Sequence, residues 1–209
     1  MAPVPPRTRA RREGEEGTVV EPRGLRGRVG RVAAMIRLEE HRPAWAEAFR
    51  AEAARILAAA GPSLLAIEHI GSTAVPGLRA KPVIDLAARA APGIDPLGLD
   101  ATLAPLGYAQ HRAGPRNHGV HVRSADGSRT HILHVFADDA WDTCPQRLFR
   151  DRLLRDPDPR RRYDALKAAL AETAADGRAY TAGKTALVEE LVNAERADRG
   201  LPSIRVWDK

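Results

Sequence analysis

Apolar residues at Trp45, Phe49, Ala53, Ile56 and Leu57 recur with a helical period, while Glu47, Arg50, Glu52 and Arg55 take the other faces. This predicts an amphipathic helix that begins near Pro43, where a missing N–H costs nothing, and stops at Gly61-Pro62. Trp45 and Phe49 read as core residues of that helix. A short strand is expected ahead of it, from Ile36 to Leu38. Beyond it the period shortens to two. Leu64 to Ile70 reads as a strand, and Lys81 to Ala88 as another, with Val83, Asp85 and Ala87 on one face and Ile84, Leu86 and Ala88 on the other. A helix from Leu97 to Leu106 should close at Gly107. Val120 to Phe136 reads as a β-hairpin about Asp126-Gly127, residues that accept the positive φ of a type I′ turn.

From Asp142 onward the pattern is helical. A short helix carries Leu148, Phe149, Leu153 and Leu154 and ends at Asp156-Pro157-Asp158-Pro159. A second, from Arg160 to Thr173, has Tyr163, Leu166 and Leu170 on its buried stripe; a third, from Tyr180 to Arg196, turns Leu187, Leu191 and Ala194 inward. These elements predict an α/β (α+β) fold: a mixed sheet of roughly four to six strands flanked by helices, with a helical C-terminal part.

Composition narrows the class. With 209 residues and 44% hydrophobic content, the chain can bury one ordinary core. A single cysteine, Cys144, excludes an internal disulfide framework. No apolar run approaches the roughly 20 residues of a membrane span, so a cytoplasmic protein without membrane contact is expected. The net charge of +6 suggests nucleic acid until its distribution is considered: residues 1–34 hold eight arginines against four glutamates, +4 of the total. That Pro-, Gly- and Arg-rich stretch has no hydrophobic period. It reads as a disordered basic tail or as sequence ahead of a true start at Met35, with a nucleic-acid-binding arm as the other reading. The domain is expected over 35–198, as an α/β core (35–140) and C-terminal helices (141–198), with a short tail at 199–209.

Candidate chemistry concentrates between Ile67 and Leu86. Gly71 lets the backbone approach a ligand, Ser72 and Thr73 offer hydroxyls, and Lys81, extended ahead of Pro82, can aim a point charge at phosphate. Asp85, in an apolar strand, calls for a partner or a metal. His69, two residues before Gly71, either bonds the loop it enters or reaches the reacting group. With a two-residue hairpin loop, Val122 lies opposite His131, His121 opposite Ile132 and Val120 opposite Leu133, so His121 and His134 share a face. If Asp85 shares that face too, the three residues make a candidate metal set, or one histidine serves as a general base. Tyr180 and Lys184, four apart, share a helix face. Arg150 either bridges on a helix surface or joins Lys184 in a basic wall over phosphate. His111 and His118 lie in a loop-like stretch and carry no assignment; Cys144 reads as inert.

The run Glu68-His69-Ile70-Gly71-Ser72-Thr73-Ala74-Val75-Pro76-Gly77-Leu78, followed by Ala80-Lys81-Pro82 and Ile84-Asp85, resembles the signature of the GrpB family. His131-Ile132-Leu133-His134-Val135, Phe149-Arg150-Asp151 and Ala179-Tyr180-Thr181 with Lys184 resemble later blocks of that family. The resemblance runs from about Ile36 to Ala197. It implies a nucleotidyltransferase-like fold, and the domain also occurs fused to dephospho-CoA kinases. It further implies phosphate on Gly71, Ser72 and Thr73, with Lys81, Arg150 and Lys184 neutralising charge. Joined to the residue reading above, the expectation is Mg²⁺ or Mn²⁺ on Asp85 with His134, and His134, His121 or His69 assisting chemistry. One departure stands out: where such transferases carry a second acid two residues after the first, this chain has Ala87. The expectation is a nucleotide-binding protein that either transfers a nucleotidyl group to an acceptor or serves, without catalysis, a partner such as a CoA-biosynthesis kinase.

Overall fold

The computed structural model describes residues 36–206; the expectations for residues 1–34 lie outside these. Helix α1 (Ala44–Ala60) starts directly after Pro43 and buries Trp45, Ala53, Ile56 and Ala60. Strands β1 (Leu64–Ile70) and β2 (Ile84–Ala90) follow, joined by a 3-10 turn over Ser72–Ala74 and the segment that holds Lys81. Between β2 and the hairpin lie a one-turn helix α2 (Asp100–Leu103), a 3-10 turn (Ala104–Leu106) and a short strand β3 (Tyr108–Gln110). The expected ten-residue helix is thus cut to a turn, because Pro105 has no N–H for an α-helical ladder. Gly107 does cap it in the left-handed region, with φ 86. At Ile36–Leu38 no strand forms among the described residues; a single bridge joins Glu39 to Ala80.

The hairpin is β4 (Gly119–Ala125) and β5 (Ser128–Phe136). Asp126 and Gly127 take φ 51 and 74, as the turn type requires. The register, however, slips by one inside the hairpin. Ala125 pairs with Ser128 and Ser124 with Arg129, but Arg123 then pairs with His131, leaving Thr130 as an extra residue. The Thr130 hydroxyl donates to the Arg123 carbonyl at 3.2 Å across this bulge. One extra residue inverts the facing of everything beyond it. His121 therefore sits opposite Leu133, not Ile132, and points away from His134.

The sheet order is β1-β2-β5-β4-β3, antiparallel except for the central β2–β5 pair. One face packs on α1 and α2 through Ile84, Leu86, Ala88, Leu133 and Val135. The other carries Asp85, Ala87, Ile132 and His134, since Asp85 pairs with Ile132 and Ala87 with His134. Helices α3 (Pro145–Arg155), α4 (Pro157–Thr173), α5 (Gly177–Gly183) and α6 (Thr185–Asp198) form the C-terminal part. α4 starts three residues before the expected Arg160, because Asp156 caps it by accepting from the Asp158 N–H at 2.9 Å. Its buried stripe is Pro159, Tyr163 and Lys167, not Tyr163, Leu166 and Leu170. The expected single helix from Tyr180 breaks at Gly183-Lys184, where Gly183 lies so close to Leu170 that an added Cβ would meet Leu170 Cδ2 at 2.5 Å. The chain after α6 returns onto that helix, Ile204 bonding both ways with the Asn193 side chain.

Candidate functional site

Between the Asp85 face of the sheet and helices α3–α6 lies a cleft of about 410 Å³. Gly71 stands at its edge with φ 71 and ψ −173, a conformation open to glycine alone, and a Cβ there would collide with the Asp85 carboxylate. Asp85 is thus packed directly beneath the Gly71-Ser72 turn. Burial raises its pKa to about 7, against the pull of the Lys184 charge. Among the described lining residues it is the only acid; Lys81, Arg129, Lys167 and Lys184 are the cations.

The helix break delivers Lys184 to this cleft. Its ammonium lies 4.4 Å from the centre of the Tyr180 ring, and the Lys81 ammonium 4.3 Å from the same centre. Lys184 is brought down to about 8 by burial and by the charge of Lys81, with Asp85 opposing. Lys81 is lowered by burial. Two ammonium groups held together on one aromatic ring, in a partly enclosed site, make a place where anionic charge is favourable. Lys167, fully buried, is committed elsewhere: its ammonium donates to the Arg79 carbonyl and lies 4.0 Å from Asp164, and burial brings it to about 7. Tyr163 and Lys167 line the cleft without having been marked by the sequence as site residues. The available signal was the four-residue spacing of Tyr163 to Lys167, which puts a lysine on an inward helix face.

Of the residues expected at the site, Gly71, Ser72, Lys81, Asp85, His134 and Lys184 line the cleft, together with Thr73. Thr73 is buried, and its hydroxyl is used up locally: it donates to the Val83 carbonyl at 3.2 Å and accepts from His69 Nε2 at 3.0 Å. It ties the turn to the start of β2. His69 points to the α1 face, stacked on Phe49 with centroids 4.7 Å apart, and burial takes it to about 4. It bonds the loop it enters and does not reach the cleft. His121, inverted by the bulge, is fully buried on the α1 face with Nε2 at 3.1 Å from Asp100. Arg150 is also outside the cleft lining. Its guanidinium donates to the His69 carbonyl at 2.9 Å and pairs with Glu68 and Asp151 at 2.8 and 2.6 Å. Its place is in the bracing between α3 and the edge strand.

The residues do not make a protein-held centre for Mg²⁺ or Mn²⁺. Asp85 and His134 do share a sheet face, but no group of three candidate ligands exists among the described residues. One carboxylate beside two ammonium groups is a poor donor set for a divalent cation. The position of the missing second acid is closed: Ala87 is fully buried with Ile70, Phe136, Trp141 and Cys144. Glu68, the carboxylate that β1 places opposite Ala87, is taken by Arg147 at 2.8 and 3.0 Å and by Arg150.

Fold and cleft together define an α+β protein with a cationic cleft against a mixed sheet. The family model described as "GrpB protein" matches residues 35–194. The chain is 40% identical over 168 residues to a UPF0157 protein of Pseudomonas aeruginosa, covering 78% of this chain and 69% of that one. It is 30% identical over 169 residues to the glutamate-rich protein GrpB of Alkalihalophilus pseudofirmus, covering 75% and 93%. The crystal structure of the conserved protein GrpB from Enterococcus faecalis superposes with a TM-score of 0.69 at 26% identity, covering 78% of this chain and 99% of that one. The chain belongs to the GrpB family.

Proposed function

We propose that the cleft binds a phosphorylated small molecule, with a nucleotide as the leading candidate, and that Lys81 and Lys184 hold its phosphate beside the Gly71-Ser72 turn. The observation that carries this reading is the convergence of both ammonium groups on Tyr180 in a cleft with one acid. Val83, Ile132, Phe149 and Val188 give the rest of the ligand an apolar wall, and the volume suits a small molecule. Binding without nucleotidyl transfer is favoured over metal-dependent transfer, because Ala87 stands where a second carboxylate would share the metal with Asp85. Such a module would act for a protein partner, a CoA-biosynthesis kinase being one candidate.

Thermal shift of the full chain tests this, with ATP, CTP, GTP, UTP, CoA and dephospho-CoA, each in EDTA and in Mg²⁺. A ligand at 100 times its dissociation constant should add about 2.7 kcal/mol. The sign of the Asp85→Asn effect is the discriminating result. If ammonium groups hold the phosphate, removing the one nearby negative charge preserves or strengthens binding in EDTA. If a metal on Asp85 holds it, the shift needs Mg²⁺ and disappears in Asp85→Asn. Absence of any shift with every ligand sinks the phosphate reading itself.

A further inference from the structure

His134 is one end of a hydrogen-bonded chain that starts at the surface. Asn117 Oδ1 lies 2.8 Å from His118 Nδ1, and His118 Nε2 lies 3.1 Å from His134 Nδ1. His118 is buried and stacked on Phe136, with centroids 4.5 Å apart. Burial keeps both imidazoles neutral, with His118 at about 4 and His134 at about 3. A neutral imidazole carries one N–H and one lone pair. An amide oxygen can only accept, so His118 bears its proton on Nδ1 and accepts at Nε2. His134 must then donate from Nδ1, which leaves the lone pair on its Nε2. That nitrogen makes no bond among the described residues, and His134 lines the cleft. A second acceptor is present there: Gln146 Oε1, on the cleft lining, is buried without a partner among the described residues.

We infer that the Asn117–His118–His134 chain fixes His134 as a hydrogen-bond acceptor facing the cleft, so that the ligand carries an O–H or N–H donor apart from its phosphate. The ligand is therefore a phosphate ester whose non-phosphate part bears a hydroxyl or amine, as in a nucleoside monophosphate. Inorganic phosphate fills only the lysine end. His118 acts here as a positioning residue, setting the tautomer of His134 without touching the ligand. The ligand half of this inference rests on the phosphate reading above; the tautomer does not.

The test is long-range ¹H–¹⁵N correlation NMR on the full chain with ¹⁵N-labelled histidine, together with titrations of inorganic phosphate and of AMP, CMP, GMP and UMP. The expected spectrum has His134 protonated at Nδ1 and bare at Nε2, and the Nε2 resonance moves on adding the best mononucleotide but not phosphate. His118→Phe, which keeps the stack on Phe136, should weaken that mononucleotide roughly 3- to 10-fold while leaving phosphate affinity unchanged. His118→Gln, whose amide oxygen still accepts from Nδ1, should recover most of the loss. A proton on Nε2 in the wild-type spectrum overturns the relay, with no mutation involved. Mononucleotide binding that leaves Nε2 unmoved, or equal loss for phosphate and mononucleotide in His118→Phe, overturns the acceptor role. If neither phosphate nor any mononucleotide binds, the ligand half falls with the phosphate reading, and the tautomer is still decided by the spectrum.

Discussion

Gly71 and Asp85 are each explained by the other. The turn needs a φ of 71 with an extended ψ, and the space where a side chain would begin is filled by the Asp85 carboxylate. Gly71→Ala should therefore lose about 2–4 kcal/mol of stability in urea unfolding, from backbone strain and overpacking together. Gly71→Ala/Asp85→Ala should recover the overpacking share, giving a measurable coupling energy between the two sites. A loss in the double variant equal to the sum of the two single losses would show that the two residues do not press on one another. The lysines follow the same logic of enclosure: Lys184 is brought down to about 8 by burial and by Lys81, and an anion bound beside it would raise it again.

At the scale of elements, the bulge at Thr130 and the helix break at Gly183 decide which side chains meet. The first sends His121 to α1 and His134 to the cleft; the second turns Lys184 onto Tyr180. Strand β2 shows why restoring a second acid will not create a metal site. Ala87 faces the same way as Asp85 but is packed under Trp141, Phe136 and Cys144, and the adjacent guanidinium groups already serve Glu68. Ala87→Asp should cost about 3 kcal/mol or more in urea unfolding, by burying a carboxylate without a free partner. It should also gain no Mg²⁺- or Mn²⁺-dependent thermal shift. A stable Ala87→Asp protein that binds Mn²⁺ would reverse this account of the strand.

For the molecule as a whole, three desolvated histidines set the acid limb of stability. His69, His118 and His134 have folded pKa values of about 4, about 4 and about 3, below the unfolded value of about 6.5. The folded state thus holds fewer protons than the unfolded state across that window, and stability rises as pH goes from about 4 to about 6.5. Asp85 acts in the opposite sense. Its folded value of about 7 lies above the unfolded one, so its contribution falls as pH rises from about 4 to about 7. Urea midpoints against pH should climb over this range because three groups outweigh one. Asp85→Asn should steepen the climb, and His118→Phe should flatten it. A wild-type profile that falls between pH 4 and 6.5 would contradict the burial of these rings. No helix among the described residues is long and apolar enough to cross a membrane.

Periodicity and the Asp126-Gly127 turn signal determined the first helix, the presence of the two strands around the Gly71-Ser72 turn, the hairpin turn and the face that Asp85 takes, while β2 begins at Ile84 and not at the expected Lys81. Those features depend on local backbone preference and on which residues avoid water, and both are written in the order of residues. The motif from Glu68 to Asp85 likewise marked the family and one side of the cleft: Gly71, Ser72, Lys81 and Asp85 line it, as do His134 and Lys184 from the later blocks. The tertiary structure decided the rest. The bulge changes the pairing by one residue, which the pattern of neither strand reveals, and it seats His121 opposite Leu133 on the α1 face. The roles of His69, Thr73 and Arg150 as braces depended on partners that other elements supply: Phe49, Val83 and Glu68. The chain from Asn117 through His118 to His134 joins a loop to a strand. No pattern within either segment shows it, because a hydrogen bond between two imidazoles exists only once the fold has brought them within 3.1 Å.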